Sequence, residues 1–391
     1  MKKILITTGI FPPDIGGPAT YSSILLKELP GFDYNIGVLT YGVKEQASKG
    51  LIYVVSNKWP KGIRHLVYFL KVLWLGRGAD LILCVDSSFG ASFISLLAAL
   101  ILRKKFVVRI TGDYAWEQGV QRYGVKELMD EFQRKRYGIF ISILRRCQNF
   151  VVCRADLVIT PSNYLKNTIL NWGAKKENIK VIYNAVSATE IKMFKEEARQ
   201  KLNLSGRIMI SAGRLVLWKG FGLLIEIVSG LKKQIPDLKL IIAGDGPERE
   251  NLDKKTKDLN LENNVLLVGA LPKNELAVYM RSADIFVLNT GYEGLSHQLI
   301  EAMAMGLPVI TTRVGGNTEV VDNQENGILV EYNNKKQLEE AIIRLFMSDE
   351  LKNKLAEKAR DKAALFSRQN MISATVDLLK KYENFIIIKR P

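Results

Sequence analysis

The sequence contains little cysteine and little histidine. Its 391 residues include three cysteines, Cys84, Cys147 and Cys153, and two histidines. The cysteines are odd in number and lack metal-ligand spacing, which argues against a disulfide scaffold and against a cysteine-based zinc site. Free thiols suit a reducing compartment, and we therefore expect a cytoplasmic protein.

Long hydrophobic runs are also missing. The longest uncharged apolar run, Ala91–Leu102, is too short to span a bilayer. The apolar start, Met1–Thr8, is followed by Pro12-Pro13-Asp14 and by no small-residue cleavage site, so we interpret it as a buried strand rather than a signal peptide. With 47% hydrophobic and 25% charged residues, the composition is that of a globular protein long enough for two domains.

Short apolar runs alternate with helical patterns along the whole chain. Buried parallel strands are apolar on both faces, and the following runs have this property: 3–8, 35–40, 52–56, 81–85, 106–110, 157–160 and 179–183, then 208–212, 238–243, 265–268, 284–288, 309–312 and 327–330. The alternation predicts an α/β fold of two doubly wound parallel-sheet domains, with ligands bound in a cleft at the carboxyl ends of the strands.

The domain boundary is expected after Asn184, where the pattern stops. The predicted domains are residues 1–184 and 185–370, and residues 189–204 form a polar linker with a short helix. The last helix, 371–391, is expected to pack back against the first domain. Residues 125–154 are predicted to form one basic helical stretch, and Ser162 is predicted to cap the next helix.

Positive charge is concentrated in the first domain. The net charge is +16, and residues 1–184 hold 26 Lys and Arg against 13 Asp and Glu. Three segments mix these cations with Trp, Phe and Leu: Trp59–Trp74, Leu100–Phe106 and Arg134–Arg146. Such segments favour an anionic membrane surface as partner. A surface that only aids solubility is the main alternative, and no nucleic-acid motif accompanies the charge, so we expect no nucleic-acid partner.

The most informative stretch is Gly291–Ile310, which reads as a turn, a helix and a strand. Glu293 lies in the turn, and Glu301 is predicted two turns inside the helix, so both could face one pocket. A helix N-terminus offers free N–H groups and a partial positive charge. Carboxylates beside such a terminus suit a ligand with an anion and several hydroxyls. The alternatives are a catalytic acid and base, or two solvated glutamates.

A second motif places two cations after a predicted strand. Arg214 follows the strand, and Lys219 precedes the next helix. Arg as a planar fork and Lys as a point charge are what a diphosphate needs. The Lys-Ser/Thr pair of a nucleotide-hydrolysing P-loop is missing. A solvated pair of charges is the alternative.

Two glycine-rich loops also follow predicted strands. The first contains Gly16 and Gly17, whose backbone N–H groups could approach a phosphate or sugar, although the spacing is not a dinucleotide fingerprint. The second, Gly244–Glu248, is better explained by loop shape alone.

Together these motifs resemble the family-4 retaining glycosyltransferases, which have the GT-B fold of two facing Rossmann-like domains. The pair Glu293 and Glu301, followed by Ala302–Ile310, is the strongest signal. Tyr183–Val186 is similar to the family's Asn-Gly-Val segment, with Ala185 in place of glycine.

The resemblance implies a role for each motif. Arg214 and Lys219 would hold the diphosphate of a nucleotide-sugar donor, Glu301 would bind the ribose, and Glu293 would contact the transferred sugar. The remaining donor contacts would come from Gly16, Gly17, Gly294, Leu295, Ser296 and His297. The family uses no catalytic metal, and we expect neither a metal nor a cofactor.

The chain departs from many relatives after its fifth strand, where a histidine near the acceptor is absent. Asp113 is the best polar candidate there, and Trp116 could stack on a sugar or isoprenoid. A capped loop with a core tryptophan is the alternative.

The resemblance therefore implies transfer of a hexose, with retention, from a nucleotide-sugar to an acceptor hydroxyl. The basic first domain favours a lipid-linked glycan as acceptor, used in cell-surface polysaccharide assembly at the inner face of the cytoplasmic membrane. A soluble acceptor, a sugar-nucleotide epimerase of the same fold and a non-catalytic basic binding protein are the alternatives.

Overall fold

The computed structural model describes residues 1–14, 16–43, 51–186 and 193–388, with side chains described as far as residue 382. The chain divides into two compact units, residues 1–184 with 369–391 and residues 185–368. The start of the predicted linker, residues 189–192, lies outside the described residues, and its short helix is α8, Lys195–Leu202.

The first unit contains a seven-stranded sheet in the order β3-β2-β1-β4-β5-β6-β7, and every pairing in it is parallel. At its centre Ile4 pairs with Ile36 on one side and with Leu81 on the other. The strands are β1 Lys2–Thr7, β2 Tyr34–Gly42, β3 Ile52–Ser56, β4 Leu81–Cys84, β5 Lys105–Arg109, β6 Leu157–Thr160 and β7 Ile179–Val181.

Within the described ranges, seven helices lie between these strands, and the last helix of the chain joins them. They are α1 Gly17–Glu28, α2 Lys61–Arg77, α3 Ile94–Leu102, α4 Tyr114–Arg122, α5 Met129–Arg134, α6 Ile139–Arg154, α7 Asn163–Asn171 and, from the end of the described chain, α16 Arg368–Ile388. A π-helical turn, Phe89–Phe93, leads into α3, and 3-10 turns cover Leu29–Phe32 and Lys176–Asn178.

Two helix predictions in this unit have clear outcomes. The single helical stretch over 125–154 was wrong, because Lys135 and Gly138 have extended ψ angles of 154° and 170° and separate α5 from α6. Ser162 does cap α7, since its hydroxyl accepts a hydrogen bond of 3.2 Å from the N–H of Leu165.

The second unit contains a six-stranded parallel sheet in the order β10-β9-β8-β11-β12-β13. Its strands are β8 Arg207–Ala212, β9 Leu238–Ala243, β10 Val265–Gly269, β11 Ile285–Leu288, β12 Val309–Thr312 and β13 Ile328–Val330. Its helices after α8 are α9 Phe221–Leu231, α10 Arg249–Asp258, α11 Lys273–Ser282, α12 His297–Ala304, α13 Asn317–Val320, α14 Lys335–Met347 and α15 Asp349–Ala363, with 3-10 turns at Leu217–Lys219 and Ala364–Phe366.

Both sheets are buried on their two faces. Fully buried strand residues include Ile6, Leu83 and Val107 in the first and Ile210 and Val287 in the second. Burying both faces of a parallel sheet requires apolar side chains at successive positions, which is why the strands read as unbroken apolar runs. The prediction of two doubly wound parallel sheets is confirmed.

The last helix packs within the first unit. The hydroxyl of Tyr21 in α1 lies 3.1 Å from the Thr375 hydroxyl in α16, and Thr375, Val376 and Leu379 are buried. Residues 389–391 lie outside the described residues. No helix in the described ranges is both long enough and apolar enough to cross a bilayer.

The strand order places particular loops together. In the second sheet the order reverses between β8 and its neighbour β11, and in the first between β1 and β4. Open α/β sheets bind ligands at this reversal, outside the carboxyl ends of the strands. In the second unit the neighbouring loops are the one that carries Lys219 and the one that carries Glu293.

Candidate functional site

The loops after β8 and β9 are joined by close backbone contact. The N–H of Leu215 donates to the carbonyl of Asp245 at 3.0 Å. Gly244 and Gly246 have φ of 147° and 159°, and a Cβ added to Gly244 would lie 1.9 Å from the Gly213 carbonyl oxygen. These glycines therefore shape the loop, in agreement with the structural explanation favoured from the sequence.

The loop after β8 is also fixed to the loop after β11. Gly220 has φ of 56°, and its carbonyl accepts a hydrogen bond of 3.2 Å from the Asn289 side chain. The N–H of Gly291 donates to the carbonyl of Trp218 at 2.6 Å. Lys219 therefore lies in a 3-10 turn that two neighbouring strands hold in place.

Lys219 and Glu293 form an ion pair across these two loops. The Lys219 ammonium donates to Oε1 of Glu293, and their side chains are only 11% and 13% exposed. An ion pair so far removed from water is costly to leave with one partner missing. Arg214, on the same loop as Lys219, is exposed. The structure thus pairs Lys219, the residue predicted to bind the diphosphate, with Glu293, the residue predicted to contact the sugar.

Two glycines missed in the sequence analysis support the Glu293 turn. The N–H of Gly316 donates to the Glu293 carbonyl at 3.0 Å. A Cβ on Gly315 would lie 2.0 Å from that carbonyl oxygen, and a Cβ on Gly316 would lie 2.2 Å from the Gly294 carbonyl oxygen. Only glycine permits the loop after β12 to come this close to the backbone of the Glu293 turn. The available signal was a Gly-Gly pair shortly after a predicted strand.

The N-terminus of α12 follows directly. Ser296 caps it, because its hydroxyl accepts a hydrogen bond of 3.3 Å from the N–H of Leu299. Gly294, Leu295 and Ser296 are buried as residues, and His297 is half-buried. The Ser296 hydroxyl accepts the cap hydrogen bond and keeps its own proton to donate, and the contact of this turn's backbone N–H groups with a ligand stays a prediction.

Glu301 has a different cationic neighbour. It is the fifth residue of α12, so it lies one turn inside the helix and not the predicted two. Its carboxylate is 3.7 Å from the ammonium of Lys273, the first residue of α11. Burial raises the pKa of Glu301 above its usual value, and Lys273 opposes that rise. The sequence analysis did not include Lys273, since its proximity depends on the sheet order.

Gly16 and Gly17 lie at the start of α1 in the first unit, where Gly16 precedes the first helical turn. Their loop begins at Gly9, whose N–H donates to Asp86 at 2.8 Å. The N–H of Ser88 donates to the other Asp86 oxygen at 2.7 Å. Asp86 follows β4, the neighbour of β1, and burial raises its pKa. It was missed because only the strand order brings it to this loop.

Asp113 and Trp116 are buried, and both form hydrogen bonds within the protein. Asp113 is 1% exposed and accepts hydrogen bonds from the Trp116 N–H at 2.9 Å and from the Gln133 amide at 2.7 Å. Trp116 is also 1% exposed, and its indole N–H donates to the Glu127 carbonyl. Trp116 matches the alternative of a core tryptophan, whereas Asp113 caps a helix, α4, where that alternative expected a capped loop. Their role at the acceptor stays a prediction that this burial does not favour.

The chemistry offered by the second unit is recognition of an anion with several hydroxyls. Arg214 and Lys219 supply positive charge, the first turn of α12 supplies N–H groups, and Glu293 and Glu301 supply acceptors for hydroxyls. Within the described parts of the chain, no three His, Cys, Asp or Glu side chains cluster as a metal site would require.

Two family models match the chain. Glycosyltransferase Family 4 matches residues 15–190, and Glycosyl transferases group 1 matches residues 194–362. The first match lies almost wholly in the first unit, the second lies in the second unit, and together they leave little of the chain uncovered.

Among curated proteins, the chain is 30% identical to N-acetylgalactosamine-N,N'-diacetylbacillosaminyl-diphospho-undecaprenol 4-alpha-N-acetylgalactosaminyltransferase of Campylobacter jejuni, over 55% of this chain and 57% of that protein. It is 28% identical to the lipopolysaccharide core biosynthesis glycosyltransferase LpsE of Rhizobium meliloti, over 57% of this chain and 64% of that protein. These alignments thus span less than two thirds of either relative.

Among solved structures, the fold is similar to that of Anabaena Alr3699/HepE in complex with UDP and glucose. The TM-score is 0.80 at 20% identity, and the match covers 97% of this chain and 100% of that one. This likeness concerns the GT-B fold. The two family models, which together match residues 15–190 and 194–362, show that the chain belongs to the family-4, group 1 glycosyltransferases.

Proposed function

We propose that the protein transfers a sugar from a nucleoside diphosphate sugar to an acceptor hydroxyl. The observation that carries this proposal is the nearly buried Lys219–Glu293 ion pair between the loops after β8 and β11. A donor can replace both partners at once, since its diphosphate attracts the ammonium and its sugar hydroxyls donate to the carboxylate. The ammonium then keeps an anionic partner, and the carboxylate keeps hydrogen-bond donors.

Each site residue has a part in this proposal. Arg214 and Lys219 bind the diphosphate and stabilise its charge as it leaves. Glu293 orients the sugar, and Glu301 accepts hydrogen bonds from the ribose. The backbone of Gly294–Ser296, together with His297, contacts the sugar and phosphate.

Gly16 and Gly17 are further candidate donor contacts. This assignment comes from the family resemblance alone. Their loop is held by Asp86, which would fix the positions of the backbone groups offered to a ligand.

We also propose front-face transfer with retention and without a metal. The bond from the anomeric carbon to the phosphate oxygen breaks, and a bond to the acceptor oxygen forms on the same face. The acceptor proton passes to the departing phosphate oxygen. Two cations and the positive end of α12 provide the charge stabilisation that a metal supplies elsewhere.

A hexose donor and a lipid-linked glycan acceptor are the favoured substrates. The Campylobacter relative is named for a diphospho-undecaprenol acceptor, and the Rhizobium relative for lipopolysaccharide core biosynthesis. The Anabaena neighbour was crystallised with UDP and glucose. A soluble acceptor is the second candidate, because the described donor-side residues do not depend on how the acceptor is held.

A substrate panel tests the proposal. The protein is incubated with UDP-, GDP-, ADP- and dTDP-hexoses, with soluble and undecaprenyl diphosphate-linked acceptors, and with or without a chelator. We expect acceptor-dependent release of one nucleoside diphosphate and a product of unchanged anomeric configuration, unaffected by the chelator. Transfer with inversion, or a trapped glycosyl-enzyme, would refute the front-face step, and no transfer from any donor would refute the activity.

A further inference from the structure

Helix α2 in the first unit exposes a continuous apolar stripe that the transfer reaction does not use. Ile63, Leu66, Leu70 and Trp74 are 54%, 58%, 53% and 63% exposed. Their spacing of three and four residues places them along one side of the helix. Single exposed apolar residues are ordinary on a protein surface, whereas an aligned row of large ones marks a contact surface.

The opposite side of α2 is already occupied. Tyr68 and Val72 are fully buried, and the single proton of the Tyr68 hydroxyl is shared between the carbonyls of Leu39 in β2 and of Thr8 just after β1. The helix is therefore fixed against its own domain, and its apolar stripe has no such cover among the described residues. The stripe needs an external partner to leave water.

Helices α3 and α6 extend this surface. Chain connections that run from β3 through β4 and β5 to β6 advance across the sheet in one direction, so right-handed crossovers place α2, α3 and α6 on one face. The ring of Phe93, just before α3, lies 6.0 Å from that of Phe150 in α6. Large exposed side chains continue on these helices at Leu100, Ile101, Ile139, Phe140 and Ile143.

The charges on this face have one sign. The sequences of α2 and α6 contain seven Lys or Arg residues and no Asp or Glu. Some of these cations serve the fold: Lys71 donates to the Val54 carbonyl at 2.7 Å, and Arg145 stacks on the Phe132 ring at 3.8 Å. Others, including Arg77 on α2 and Arg146 on α6, are exposed on the same sides of these helices as the large apolar residues.

We propose that this face, defined by the exposed apolar residues of α2, α3 and α6 with their neighbouring cations, docks on an anionic lipid bilayer. The apolar side chains enter the boundary between headgroups and acyl chains, and the cations contact anionic headgroups. A second copy of the chain would bring like charges together. A nucleic acid would offer phosphates to the cations but nothing apolar to the stripe.

The orientation of α2 relates the docking surface to the loops of this unit. The function that we assign to docking rests on the proposed transfer to a lipid-linked acceptor. Because α2 follows β3, its first turn lies at the carboxyl edge of the sheet, where the loops of this unit gather. A bilayer against this face would hold a lipid-linked glycan close to those loops. The docking itself does not require the activity and is tested separately.

Vesicle sedimentation of the full chain is the test. Phosphatidylcholine vesicles with about 30% phosphatidylglycerol are compared with phosphatidylcholine vesicles alone. We expect at least tenfold tighter binding to the anionic vesicles. Leu66→Ser/Leu70→Ser and Arg77→Gln/Arg146→Gln should each weaken that binding about tenfold or more, with unchanged thermal unfolding.

Matched controls come from the second unit. Met347→Ser/Leu365→Ser alters two similarly exposed apolar residues, and Lys232→Gln/Lys233→Gln alters two exposed cations. Equal binding to both vesicles, an equal loss in the controls, or conversion of a dimer to a monomer by Leu66→Ser/Leu70→Ser would overturn the proposal. Nucleoside diphosphate binding on the same samples separates failure of docking from failure of the transferase assignment.

Discussion

Carboxylates at the loop ends of the two sheets have different partners. In the first unit, Asp86 binds the N–H groups of Gly9 and Ser88, and Asp113 caps α4. In the second unit, Glu293 and Glu301 lie beside lysines. A carboxylate bound to backbone N–H groups holds a loop in place. A carboxylate paired with a lysine can exchange its partner for a ligand.

The same difference separates structure from function. Removing a carboxylate that satisfies buried N–H groups leaves those donors without partners, which costs stability. Removing one from a lysine pair leaves a buried charge, which costs stability in the empty protein but which a phosphate can neutralise. Substitutions in the first unit should therefore act mainly on folding, whereas those in the second should act on donor binding as well as on folding.

The largest effect is expected for Lys219→Met. Loss of the ammonium removes charge stabilisation of the departing diphosphate, and kcat/KM should fall about 10²–10³-fold. Steady-state kinetics with the donor identified by the substrate panel provide the measurement. Lys219→Arg is the matched control and should keep part of the activity, because it retains the charge. Full activity of Lys219→Met would contradict the assigned role.

Glu293→Gln should reduce turnover about 10²-fold while nucleoside diphosphate binding survives. Its physical basis is that Lys219 loses a competing carboxylate and stays available to the diphosphate. Calorimetric titration beside a turnover assay checks both parts. If nucleotide affinity fell as steeply as turnover, the pair would be a structural element rather than an exchangeable one. The double variant with Lys219→Met should lose less than the sum of the single losses.

Asp86→Ala should destabilise the first unit by about 1–3 kcal/mol, because the N–H groups of Gly9 and Ser88 lose their acceptor. Thermal or urea unfolding measures this change. Nucleoside diphosphate binding should weaken much less than in Lys219→Met, because Asp86 acts only through the loop of Gly16 and Gly17. Asp14→Asn, at an exposed position, is the control. A loss of nucleotide affinity without a loss of stability would break the comparison between the units.

The smallest effect concerns Glu301 and pH. Its pKa is raised by burial and lowered by Lys273, so Lys273→Met should raise the pKa further. Ribose hydroxyls donate to the ionised carboxylate, and affinity for the nucleotide should fall as pH falls through this pKa. In a plot of nucleotide affinity against pH, the fall in affinity at low pH should therefore move to higher pH in Lys273→Met. It should remain in place in Lys273→Arg and disappear in Glu301→Gln. Calorimetric titrations of the nucleotide at a series of pH values measure this dependence. The same pH dependence in all variants would exclude Glu301 as a ligand of the ribose.

Much of the fold was predictable because burial of parallel strands on both faces leaves a direct sequence signal. All thirteen strands in the described ranges were anticipated, and β3, β6, β9 and β12 have the predicted bounds. Helix breaks left weaker signals. The division of 125–154 at Gly138 depends on backbone angles that many sequences could adopt, and α4 was not predicted.

The candidate site was predictable in its parts and not in its pairings. Lys219, Glu293 and Glu301 follow strands in the sequence, but the Lys219–Glu293 pair depends on β8 lying beside β11. Asp86, Lys273 and the Gly315-Gly316 pair were missed for the same reason. Each acts on a segment that is distant in sequence and adjacent only through the order of the strands.

Calorimetric titration of nucleoside diphosphates tests the central claim most directly. UDP, GDP, ADP and dTDP are titrated into the wild type and into Lys219→Met, with the corresponding nucleosides as controls that lack the phosphates. The account predicts that at least one nucleoside diphosphate binds the wild type, and that Lys219→Met weakens it about tenfold or more while nucleoside binding is unchanged. Failure of all four to bind, or equal affinity for both proteins, would contradict it.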